Sequence, residues 1–69
     1  MRLGMALRDL RIHAGLTIDE MAHESDLYGL HLSGVEDGSV DLSEAELVEY
    51  LEAIAAVLWR QMEANDGSE

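Results

Sequence analysis

The chain of 69 residues has no cysteine, no lysine and no proline. Without cysteine, neither a disulfide framework nor a thiolate metal site can reinforce the fold. A domain this small buries only about 60% of the surface its unfolded chain exposes, so its core is expected to be thin and a partner chain would help it. No stretch is apolar for long enough to span a bilayer, and the amino terminus lacks the charged, apolar and small-residue order of a secretory signal. A soluble cytoplasmic protein is therefore expected.

Positive charge is the other scarcity. Fifteen Asp and Glu stand against four Arg, for a formal net charge of -11. Between Ile12 and Trp59 there is no cation other than histidine, while the same interval carries Asp19, Glu20, Glu24, Asp26, Glu36, Asp37, Asp41, Glu44, Glu46, Glu49 and Glu52. Affinity for a nucleic-acid duplex comes mostly from cations that neutralise phosphates and release counterions, so a field of this sign opposes such binding. Solubility or a salt-adapted host would give the same composition. Disorder is disfavoured, because 48% of the chain is apolar and those residues are periodic.

Leu3, Leu7 and Leu10, with Ala6 and Ala14 beside them, predict an amphipathic helix from about Leu3 to His13, closed by Gly15. Arg2, Arg8 and Arg11 make its edge the one basic patch. Thr17 and Glu20 have capping-box spacing, so a second helix is predicted from Ile18 to about Glu24, turning inward Ile18 or Met21, with Ala22 at the closest approach. A turn at Ser25 and Asp26 follows, then Leu27 as a core plug and a third helix with Leu32 and Val35 inward. Gly29 and Gly34 weaken that helix by about 1 kcal/mol each relative to alanine, and Gly38 stops it. Ser43 and Glu46 repeat the capping box, and no glycine or proline follows before Gly67, so a last helix is predicted from Glu44 to about Ala64, with residues 65–69 frayed. Its core stripe is read as Leu47, Leu51, Ile54 and Leu58. A second apolar strip of Val48, Ala55, Trp59 and Met62 suggests cover from another subunit. Residues 1–64 thus form one all-α domain.

The residues from Thr17 to Gly38 outline a helix, a tight turn and a second helix. Leu10, Arg11, Gly15, Leu16, Thr17, Glu20, Ala22, Leu27, Leu32, Val35, Glu36 and Gly38 resemble, in type and spacing, the Cro/repressor-type (xenobiotic-response-element-like) helix-turn-helix family over roughly Leu3 to Ile54. The resemblance implies a four- to five-helix fold and a structural ion pair between Arg11 and Glu36. It also implies that the third helix would read DNA through its exposed face, here Tyr28, Gly29, Leu30, His31, Ser33 and Gly34. Of these, Gly29, Leu30 and Gly34 cannot read a base edge. Where the family carries a phosphate-gripping glutamine this chain has Ile18, and Ser39, Val40 and Asp41 stand where basic residues are usual. Ala55 replaces the glycine that usually breaks the chain before a fifth helix, so the last helix is read as a dimerising one.

No other chemistry is strongly written. His13, His23 and His31 fall on three different helices without the spacing of a metal pair. The carboxylates accompany no nucleophile and no phosphate loop, so neither an enzyme nor a cofactor is expected. Glu44, Glu46, Glu49 and Glu52 read equally as a solvated helix face or as a functional acidic surface.

The function expected is protein–protein interaction by an acidic helix-turn-helix scaffold. Its face of Asp19, Glu20, Glu24, Asp26, Asp37 and Asp41 would act as a phosphate or DNA mimic and dock on a basic nucleic-acid-binding partner. Small phage or mobile-element inhibitors of the anti-CRISPR and antirepressor type work this way. A homodimer through Ala55, Leu58, Trp59 and Met62 is also expected. The alternative is a dimeric sequence-specific regulator of transcription that binds DNA through Arg2, Arg8 and Arg11, with weak readout by Tyr28, His31 and Ser33. A third possibility is a purely structural dimerisation module.

Overall fold

A computed structural model describes residues 2–66. They form four helices, α1 (Leu3–His13), α2 (Ile18–Ser25), α3 (Gly29–Asp37) and α4 (Glu44–Asp66), with no strand among the described residues. The fold is all-α. α1 packs on α3, α3 on α2, and α2 on α4.

Local chemistry sets the element boundaries. At the start of α2, Glu20 N donates to Thr17 Oγ1 (3.1 Å) and Thr17 N donates to Glu20 Oε1 (2.9 Å), a reciprocal cap. Ser43 and Glu46 make the same pair of bonds at the start of α4. α2 ends because Asp26 turns left-handed, at φ 60°, a conformation that Asp tolerates better than most residues. Ser25 steadies that turn: its hydroxyl donates to Met21 O and accepts from Leu27 N. α3 ends in a Schellman arrangement, with Gly38 at φ 89°, Gly38 N donating to Val35 O and Ser39 N to Gly34 O.

The core comprises Leu7, Ala14, Met21, Leu32, Val35, Tyr50, Ala53, Ile54 and Val57, with Leu16, Ile18, Ala22, Leu27, Leu42 and Leu47 packed around it. Two expected stripes differ from this. On α1 the inward line is Leu7 and Arg11, continued by Ala14 just past its end, while Leu3 and Leu10 are exposed. On α4 the inward line is Tyr50, Ala53, Ile54 and Val57, while Leu51 and Leu58 face outward with Val48, Trp59 and Met62. Both stripes of α4 have helical spacing; α2 and α3 meet the one that carries Tyr50, whose hydroxyl reaches the polar centre described below. α4 also runs to Asp66, past the expected end at Ala64, so Asn65 and Asp66 belong to it. The rest of the expected frayed tail, residues 67–69, lies outside the described residues.

Gly4 and Gly34 are close-approach positions. A Cβ on Gly4 would collide with the carbonyl oxygen of Val35, so only glycine lets α1 lie against the α3 backbone. A Cβ on Gly34 would come within 2.6 Å of Val40 Cγ2, where the loop after α3 folds back.

Candidate partner-binding face

Orientation of the α2–α3 surface begins with a buried polar knot. Arg11 donates to both carboxylate oxygens of Glu36, Nε to Oε2 and Nη2 to Oε1, each at 2.9 Å, and its Nη1 donates to Leu16 O at 2.7 Å. Two parallel bonds to a carboxylate fix the guanidinium plane as well as its position. The Tyr50 hydroxyl lies 3.0 Å from Glu36 Oε2 and 2.9 Å from Leu7 O, so one hydrogen faces two acceptors. α1, α3 and α4 are thereby tied at one point. Hydrogen bonding to Glu36 holds Arg11 above its usual pKa, and burial, followed by the Glu36 carboxylate, pushes the Tyr50 hydroxyl well above the ordinary tyrosine value. Tyr50 carries no sequence signal of this role, because its contact with Leu7 spans 43 positions.

Held by this knot, the start of α3 projects Tyr28 and Leu30, which are 85% and 91% exposed. Ser33 is exposed beside them, whereas Gly29, His31 and Gly34 are half-buried. His31 turns toward α4, its Nε2 3.1 Å from Glu46 Oε2. Asp19 flanks the start of α3, its Oδ1 3.8 Å from where a Gly29 Cβ would stand. The outermost side chains of this end are therefore a phenol and an isobutyl group next to a carboxylate.

The six acids grouped by sequence occupy distinct places. Asp19 and Glu20 open α2, and one Glu20 oxygen is taken by the cap, whose backbone bond to Thr17 holds the Glu20 carboxyl below its usual pKa. Asp37 is also lowered, first by the Ser39 side chain and then by the Ser39 backbone N–H, which it accepts at 2.9 Å. Asp37 and Asp41 border a groove of about 800 Å³ between α1 and the end of α3, which Arg2, Arg8 and Ser33 also line. Glu24 is half-buried and paired with Arg60 at 2.8 Å. Glu24 and Asp26 instead share a shallow cleft with Glu49 and Glu52 of α4, a grouping that only the α2–α4 packing creates. Asp19, Asp26 and Asp41 are exposed and accept no hydrogen bond among the described residues.

Among the described residues no group of His, Asp and Glu is placed to hold a metal ion, and no helix is long and apolar enough to cross a membrane. Ala55, Leu58, Trp59 and Met62 all lie on the exposed side of α4. No protein-family model, no curated protein and no solved structure matches this chain.

Proposed function

We propose that this protein is an acidic helix-turn-helix scaffold of the Cro/repressor type that acts by binding another protein, on a surface which that partner otherwise offers to nucleic acid. It is a small inhibitor of the anti-CRISPR or antirepressor kind. One observation carries the reading: the start of α3, the end that would have to enter a DNA groove, presents Tyr28 and Leu30 at its outermost positions, with Asp19 flanking it. A phosphate backbone would be repelled there, and neither side chain can position a duplex. A basic protein surface would be attracted. Exposed tyrosine beside charge is the composition of interface anchors, and complementary charge speeds encounter and sets orientation. The acids of the α2–α4 cleft extend the same negative field around one side of the molecule.

The test is capture of a cationic nucleic-acid-binding protein by the tagged chain, with elution by salt and by competing DNA. Tyr28→Ala should weaken capture at least tenfold, and Asp19→Lys with Asp26→Lys should abolish it. Retention unchanged by these substitutions would overturn the reading. A second reading, direct DNA binding, draws on Arg2, Arg8 and Ser33 lining one groove. Saturable, sequence-dependent gel shifts below micromolar concentration that are lost in Arg8→Ala would favour it instead.

A further inference from the structure

We infer that the outer face of α4 is a docking strip for a cationic amphipathic helix of a partner protein. Val48, Leu51, Ala55, Leu58 and Met62 recur at spacings of three, four, three and four, with Trp59 alongside. That is the spacing at which one helix offers anchors to another. At 3.6 residues per turn the strip's centre lies roughly 140° around α4 from the buried Tyr50, Ala53, Ile54 and Val57, so it points away from α2. Its large side chains are between 39% and 62% exposed. The strip runs for about 21 Å at 1.5 Å per residue, enough for about four turns of a partner helix. Scattered exposed apolar residues need no explanation, whereas a contiguous strip marks a contact surface.

Charge selects the occupant. Glu44 precedes Val48 by one helical turn, Glu52 follows Val48 by one, and Glu63 follows Trp59 by one, so acids border the strip at one end and along one edge. All of these are exposed, and none is held in an ion pair among the described residues. The one cation of α4, Arg60, is turned to the opposite side by its pair with Glu24 of α2 at 2.8 Å, so it does not neutralise that border. A second copy of this chain is a poor occupant, because its strip has the same border and acids would face acids in either orientation. A partner helix that carries lysine or arginine beside its apolar face meets both demands. Its apolar side covers Leu51, Ala55 and Leu58, and its basic flank lies along Glu52 and Glu63. Ala55, the smallest residue of the strip, stands at its middle, where a partner helix approaches closest. Trp59, at the boundary between apolar and acidic, has the size of an interface anchor. This strip is separate from the start of α3, and its assignment does not rest on the reading of that end.

Trp59 is the only tryptophan of the chain, so its emission reads the strip directly. The probe is a synthetic helix of about 18 residues, roughly 27 Å long, with leucine at heptad spacing and lysine elsewhere. Its controls are the same helix with glutamate for lysine, and the same leucines and lysines in scrambled order. The leucine–lysine helix should saturate at one per chain, shift Trp59 emission to the blue and bind about tenfold or more tighter than either control. Ala55→Glu adds a negative charge at an exposed position; it should weaken binding about tenfold with unchanged helical circular dichroism, whereas attraction by charge alone would strengthen it. Glu52→Lys with Glu63→Lys should pass the preference to the leucine–glutamate helix. Equal binding of the scrambled peptide, or binding by Ala55→Glu as tight as by the native chain, would overturn the proposal. So would a free chain that sediments as a dimer and is dissociated by Ala55→Glu, because the strip would then belong to a second copy. Tyr28→Ala should leave the titration unchanged; a loss there would move the probe to α3 and overturn the proposal as well. Failure at this strip leaves the α3 reading to its own test.

Discussion

Among the described residues, two arginine–carboxylate pairs are of nearly equal length and unequal consequence. Arg11 and Glu36 meet at 2.9 Å where both side chains are almost fully removed from solvent, and Arg60 and Glu24 meet at 2.8 Å with the arginine more than half exposed. Distance does not separate them; surroundings do. A buried ion is stranded when its partner is removed, whereas an exposed one is rehydrated by water at little cost. The inner pair therefore fixes α3 against α1, and the outer pair adds little to the fold.

Removing one side of the inner pair tests that contrast most severely. Glu36→Leu leaves Arg11 charged, buried and without its bidentate acceptor, which should cost about 3–5 kcal/mol. A chain of 69 residues has a total stability of only about 3–10 kcal/mol at typical values per residue. Chemical denaturation should show this variant largely unfolded. Arg11→Met combined with Glu36→Leu should recover most of the loss, because no ion is then stranded. Failure of the double variant to recover would mean that the pair's geometry, rather than its charge balance, holds α1 to α3.

Tyr50→Phe is the next largest effect, about 1.5–3 kcal/mol for a hydrogen bond to a charged group. It has a signature that packing loss alone would lack. The folded-state pKa of Tyr50 is raised above its ordinary value of 10.0, so the folded state keeps the proton while the unfolded state gives it up. This contribution is complete below pH 10 and declines as pH rises beyond it. Denaturation midpoints should fall above pH 10 in the native chain and fall less in Tyr50→Phe. Arg60→Ala should change stability by at most about 1 kcal/mol, and 0.5 M salt should erase the difference.

How much of this was readable from residues alone varies with the range of the interaction. The caps at Thr17 with Glu20 and Ser43 with Glu46 join residues three apart, so the sequence contains the whole interaction and the helix starts follow from it. Arg11 and Glu36 are 25 positions apart; nothing local links them, and only a family resemblance suggested the pairing. Tyr50 was invisible, because a tyrosine on a helix reads as a boundary residue until a tertiary contact claims its hydroxyl. α4 carries two apolar stripes of equally helical spacing, and periodicity cannot say which of them faces α2. Which acids share a cleft depends on packing in the same way. Chain order placed Glu24 and Asp26 with Asp37 and Asp41, whereas packing placed them with Glu49 and Glu52.

The capping carboxylates supply the smallest prediction and the acid counterpart to Tyr50. Glu20, Glu46 and Asp37 are held below their ordinary pKa, chiefly by backbone N–H bonds at the first two and by Ser39 at the third. With folded values below unfolded ones, their stabilisation is complete above the ordinary values of 4.5, 4.5 and 3.8 and is lost as pH falls through the folded values. Thermal unfolding followed by circular dichroism should thus show the midpoint dropping below about pH 4.5. Thr17→Ala, which removes one arm of the α2 cap at a typical cost of about 1 kcal/mol, should lower the midpoint at neutral pH and make the acid slope shallower. An acid slope identical in Thr17→Ala and in the native chain would assign the loss to other carboxylates and separate capping from the pH response.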